Sequence, residues 1–292
     1  MSSSAPVDRG PALEAAIWTQ IVIAFVFVVL RFWARFYPRG IGLDDGLMLT
    51  SWVLFLASGV IIQLGAQDGM TLHFQDLSIE TQQYQLQLVV IFLAIAIATT
   101  WLGKVAIGIT ILRIIGNTSP WKRYAILVLL GLMTLFSVTD IFLSLFRCGN
   151  PRAQWDYELA ATATCLPRSK TNPFNDGTNA ILVFADYFLS VLPMAVIWGL
   201  RMPLRRRIMV IVLLGLTIIT GVAGTVKMVH VSLLDMNDIT GGIYDSLIWY
   251  GIETMFIIVF GSMPALHPLW RRFFQLLGNR RHQELNRQPT MT

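Results

Sequence analysis

Long uninterrupted apolar runs constrain this chain more than any other feature. Seven stretches, about residues 12–36, 44–66, 84–115, 121–147, 175–201, 205–235 and 243–270, are each long and apolar enough to cross a bilayer as a helix. In hydrocarbon every backbone N–H and C=O must be satisfied internally, which leaves only helices or a closed barrel. Barrel strands alternate with period two, and these runs do not. Only 13% of the 292 residues are charged, too few to solvate the surface of soluble domains, where about 25% is usual. Pro38, Gly40, Gly116, Pro120, Pro151, Pro173, Pro203, Gly241 and Gly242 mark the connections. No internal repeat and no domain linker is visible. The expected fold is an all-α polytopic membrane protein with seven transmembrane helices. Its parts are an N-terminal tail over 1–11, a seven-helix membrane domain over 12–275 and a C-terminal tail over 276–292. The first run ends in Arg31, Phe32, Trp33 and Arg35 and is too long for a signal-peptide core, so it is expected to be retained.

The net charge of +5 comes from short basic clusters between the runs. Arg31, Arg35 and Arg39 follow the first; Arg113, Lys122 and Arg123 separate the third and fourth. Arg201, Arg205, Arg206 and Arg207 separate the fifth and sixth; Arg271, Arg272, Arg280, Arg281 and Arg287 follow the seventh. These fifteen face five on the other side: Arg9, Arg147, Arg152, Arg168 and Lys170. The richer side is expected to be cytosolic, which puts the N-terminus outside or in a lumen and the C-terminus in the cytosol. No basic stripe is interleaved with aromatics, so nucleic acid is not an expected partner; the lipid bilayer is.

Cys148 and Cys165 fall in one loop on the expected outer side. An oxidising compartment favours a disulfide between them, and closing a loop of that size contributes on the order of 3 kcal/mol. Two cysteines without nearby histidines offer too few ligands for zinc. The sequon at Asn117 falls on the expected cytosolic side and should stay unmodified.

Several short motifs recur in order along the runs. Gly42-Leu43-Asp44-Asp45 opens the second; Gly103-Lys104 and Leu112-Arg113 lie in the third. Phe146-Arg147-Cys148 leads to Trp155 and Cys165. Asn179 precedes Asp186 and Pro193, and Glu253 precedes Met263-Pro264-Ala265-Leu266. In these features, over roughly 15–275, the chain resembles the fungal rhodopsin-like domain family of seven-helix membrane proteins, which includes the satratoxin-cluster type and longer receptor-like proteins. The short type is the better fit, and its genes often lie in specialised-metabolite clusters. The resemblance implies a class and a context rather than a reaction.

Asp44 and Asp45 suit the start of a helix, where carboxylates satisfy free N–H groups and meet the positive end of the dipole. Pairing with Arg31, Arg35 or Arg39 as a latch is the functional alternative. Pro193, Pro264 and Pro268 each remove a backbone donor and are expected to kink their helices. Ala94 and Ala98, and Gly221 and Gly224, offer small-residue contact faces. Lys104 is expected to snorkel to the cytosolic boundary or to pair with an aspartate of the second run. His73, His230 and His267 lie near membrane edges and form no metal site.

Four charges remain inside the runs. Taking the outer ends as Phe146, Ala180, Leu233 and Leu247, each of Asp140, Asp186, Lys227 and Glu253 lies about six residues in, a depth of ~9 Å. Intramembrane ionisable groups face the bundle interior, pair and mark functional paths. One polar, ligand-binding cluster is therefore expected from these four. Three acids against one lysine would repel, so one acid is expected to hold a proton. The alternative is a simple buried salt bridge from Lys227 to one acid.

A retinal Schiff base needs a lysine in the middle of the seventh run, and none lies between Ile243 and Leu269. No cofactor is expected. Receptor marks of the G-protein-coupled kind are missing: no acid precedes Arg113, and Ser262-Met263-Pro264-Ala265-Leu266 stands where an Asn-Pro-x-x-Tyr pattern would. Acid–base catalysis by a buried carboxylate on an apolar substrate is compatible with the motifs but not demanded. The expected role is binding or handling a small, largely apolar metabolite for a specialised-metabolite pathway, with its pathway enzymes as possible partners; a receptor-like sensor of an external ligand is the alternative.

Overall fold

The computed structural model describes residues 10–36, 40–68, 78–115, 120–197, 218–231 and 239–285. The described residues form helices and no strands. In order these are α1 (Gly10–Phe36), α2 (Leu43–Gln67), α3 (Ile79–Ile115), α4 (Pro120–Phe146), α5 (Tyr157–Thr162), α6 (Arg168–Ile197), α7 (Ile218–Val231) and α8 (Ile239–Leu285). Five of them, α1 to α4 and α8, are long and apolar enough to cross a membrane. Arg39, His73, the Asn117 sequon and the cluster Arg201 to Arg207 lie outside the described residues, as do the side chains of Pro193 and His267.

The apolar residues of α1 to α4 do not all turn inward. Only a third of the most apolar stretch of each is buried. Val22, Phe25, Val26 and Val29 of α1, and Leu127, Val128, Leu132 and Leu135 of α4, are exposed. Helices apolar on every side belong in a medium that is itself apolar. The chain is thus an integral, multi-pass membrane protein in contact with lipid. Trp33 and Phe36 at the end of α1, and Trp121 and Tyr124 at the start of α4, are exposed at one end of the bundle, where amphipathic rings suit the headgroup level.

α3 is the central element and packs against α2, α4, α6 and α8, while α1 packs against α2 and α8. Glycines let these helices close up. A Cβ on Gly103 would run into Ile257 of α8 and Ser51 of α2; one on Gly261 would meet Met48 and Ile107. The core joins Ile17 and Ile21 of α1 to Met48 and Phe55 of α2 and to Ile257 and Ile258 of α8.

Helix ends follow local chemistry. Pro120 opens α4 at the first helical position, where its missing N–H costs nothing. Pro173, expected in a connection, lies inside α6, because that helix starts at Arg168, ahead of its apolar run. α6 also continues through Pro193, and α8 through Pro264 and Pro268 to Leu285, well past residue 270. Proline removes one donor from the ladder, which a long packed helix tolerates.

Cys148 and Cys165 form a disulfide. The loop they close holds a 3-10 helix, Pro151–Gln154, and the short α5, neither legible as apolar runs. Gln154 donates to the carbonyls of Ser144 (2.9 Å) and Leu145 (2.7 Å), capping free acceptors at the end of α4. Tyr157 donates to Gln82 of α3 at 3.1 Å, so the loop is folded down onto the bundle.

Candidate functional site

Four helices bring two acids and two lysines to one place inside the bundle. Lys104 of α3 is wholly buried. Its Nζ donates to Asp186 Oδ2 of α6 at 2.9 Å, to Glu253 Oε1 of α8 at 2.9 Å and to the Leu182 carbonyl at 3.2 Å. Three acceptors exhaust the three donors of an ammonium. The other oxygen of Glu253 pairs with Lys227 Nζ of α7 at 2.7 Å. Glu253 is therefore the bridge, holding one lysine on each oxygen, and the four formal charges sum to zero.

Small residues admit α7 to this cluster. A Cβ on Gly224 would press against Glu253 and Val183, and one on Gly221 against the Tyr187 ring. These two glycines are contact positions because the site needs a close helix. Beyond Glu253 the site turns aromatic. Tyr250, one turn earlier on α8, meets Phe55 at 6.1 Å and Phe92 at 5.2 Å edge to face, and its hydroxyl donates to Ser58 Oγ at 3.0 Å.

The geometry departs from the sequence expectation at two residues. Lys104 neither snorkels nor reaches an aspartate of α2. It lies eleven residues before Ile115, about 16 Å inside, too deep for its stem to reach the boundary, and faces α6 and α8 instead. Asp140 shares the depth of the others but not their direction. α4 packs on α3 and α6, and Asp140 takes a 3.2 Å hydrogen bond from Asn175 Nδ2 of α6. With Lys104 in and Asp140 out, the repulsion that called for a shared proton is gone.

A second ionic node ties the opposite end. Arg31 of α1 donates from Nε to Asp45 Oδ1 at 2.7 Å and from Nη2 to Asp44 Oδ2 at 2.7 Å, both on α2. It also reaches Thr110 of α3 and the Gly261 carbonyl of α8. Arg35 pairs with Asp44 at 2.7 Å, and the half-exposed Arg113 with Asp44 Oδ1 at 3.1 Å. Asp45 in addition accepts from the Gly42 N–H at 2.9 Å, so it caps α2 as well. Arg31, Asp44 and Asp45 are all fully buried. Asp45 thus both caps α2 and pairs with Arg31, Asp44 pairs with Arg31 and Arg35, and Arg113 is a partner the sequence did not suggest.

Among the described residues no group of three His, Cys, Asp or Glu stands together as a metal site. The tetrad's donors and acceptors are turned on each other. The family model described as the Fungal rhodopsin domain matches residues 30–272, which include the tetrad and the Arg31 node. No curated protein and no solved structure matches the chain.

Proposed function

The chain belongs to the Fungal rhodopsin domain family, and from that premise we propose that it binds a small, largely apolar metabolite within its helix bundle and serves a specialised-metabolite pathway. The observation that carries this reading is the balanced tetrad of Lys104, Asp186, Lys227 and Glu253, buried where four helices meet. Four charges in a membrane interior are costly, and such groups usually mark a substrate or ion path. Their charges are paired on one another, and Tyr250, Phe55 and Phe92 supply an apolar wall beside them. Both carboxylates are already held by ammonium groups, which favours binding over general-acid catalysis.

The test is chemical. A deletion strain loses or alters a metabolite profile, and the wild-type gene restores it. Asp186→Asn and Glu253→Gln keep shape and remove charge. Each should lower the restored metabolite by about tenfold or more, the scale of one lost charged hydrogen bond. Full restoration by both variants, folded and in the membrane, would leave these residues a purely structural role. A polyketide or terpene synthase gene alongside supports the pathway context; its absence favours a sensor of an external ligand.

The proposed arrangement has seven crossings with the Arg31 end in the cytosol. A reporter fused after Thr292 should then be cytosolic, and a tag before Ser2 should be reachable from outside or from a lumen. The reverse at both ends overturns this orientation.

A further inference from the structure

We propose that Asp140 anchors a second site, apart from the tetrad, that holds a bare alkali cation of sodium size between α4 and α6. Asp140 is 2% exposed. It accepts a hydrogen bond from Asn175 of α6 and lies beside the Thr178 hydroxyl, which donates to the Phe174 carbonyl at 3.0 Å, and among the described residues no lysine or arginine pairs with it. Asp176 of α6 adds a second negative charge nearby rather than a positive one. Ser137, one turn earlier on the same face of α4, is fully buried, and its hydroxyl has no hydrogen-bond partner.

Two separate deficits therefore meet at one place. A buried carboxylate without a cation is costly, and so is a buried hydroxyl without a partner. One cation between Asp140 and Ser137 corrects both. The oxygens there come from the Asp140 carboxylate and the Ser137 and Thr178 hydroxyls, since the Asn175 carboxamide turns its Nδ2 to Asp140, and oxygen donors select hard cations. A divalent ion takes six to eight oxygens and several carboxylates, whereas here Asp140 alone is fully buried and Asp176 only partly, which matches a single positive charge. Asn179 holds Asn175 through 3.0 Å bonds to its carbonyl and its side-chain oxygen, so the α6 side is preset. Asp140 lies six residues before Phe146, about 9 Å from the disulfide end, which gives an ion a short way in.

The experiment is thermal unfolding of the purified full chain in sodium, potassium, choline or tetramethylammonium chloride at constant ionic strength. Sodium at about ten times its dissociation constant should raise Tm by about 3–6 °C over choline, saturably. Asp140→Asn, which copies the protonated acid in shape, should abolish the shift, and Ser137→Ala should weaken it at least severalfold. If Asp140→Asn does not fold, Ser137→Ala decides. Equal melting of the wild type in sodium and choline overturns the site. So does a sodium shift unchanged in the folded variants, or a larger rise with tetramethylammonium than with sodium.

Discussion

Lys104→Met is expected to lower stability by about 3–5 kcal/mol, the cost of removing one partner from a buried ion pair. Its ammonium is the only one within reach of Asp186 among the described residues, at 2.9 Å, whereas Glu253 keeps Lys227 at 2.7 Å when Lys104 is gone. The variant therefore strands a single carboxylate inside the bundle. Neutralising that carboxylate should undo most of the damage, so Lys104→Met/Asp186→Asn should be more stable than Lys104→Met alone. A coupling of about 1–3 kcal/mol between the two positions is expected from the double-mutant cycle. Reversible unfolding in detergent measures all four proteins. A single variant within about 0.5 kcal/mol of wild type, the range of an ordinary surface change, would contradict the charge-balanced tetrad. Lys227→Met should cost less than Lys104→Met, because Lys227 is the partly exposed lysine of the pair.

The second large effect belongs to Arg31. Arg31→Met should cost about 3–5 kcal/mol by the same logic, and Arg31→Lys should recover only part of it. The guanidinium is used as a fork: Nε on Asp45, Nη2 on Asp44 and Thr110, and Nη1 on the Gly261 carbonyl. An ammonium on a shorter, rounder head cannot meet acceptors on α2, α3 and α8 at once. The Gly261 carbonyl ties this fork to α8 as well as to α2 and α3. Arg113→Ala is the contrast. Its pair with Asp44 is half exposed, and such pairs contribute about 0–1 kcal/mol. If Arg31→Lys behaves like wild type, or if Arg113→Ala costs as much as Arg31→Met, the fork is not what holds this end together.

Depth along a helix proved legible, and direction around it did not. Counting inward from the ends of the apolar runs put Asp186, Lys227 and Glu253 at one level, and they meet there. The same count included Asp140, which faces Asn175 across another seam of the bundle. Lys104, expected at the cytosolic boundary or on α2, instead completes the cluster from α3. Two signals pointed to it. Its depth exceeds the reach of a lysine stem, and three acids facing one lysine left a charge imbalance that a buried site does not sustain. The Arg31 node was half visible, since Asp44 and Asp45 follow an arginine-rich turn. That Arg31 also binds a carbonyl of α8, 230 residues away, has no local trace at all.

What the sequence by itself determined is the solvent and therefore the fold class. Apolar runs of this length belong in hydrocarbon, and hydrocarbon forces the backbone to satisfy itself within each helix. Disulfide partners were determined too, because the chain has two cysteines and both lie in one loop. The tertiary structure alone decided which charges are partners. Each helix buries only part of its circumference, and the part it buries depends on small residues such as Gly103, Gly224 and Gly261 at contacts with helices far away in the chain. Rotation of a helix by one residue, about 100°, moves a lysine from one seam to another without altering its depth or its hydropathy. Partner choice is thus a property of the assembled bundle, not of any run within it.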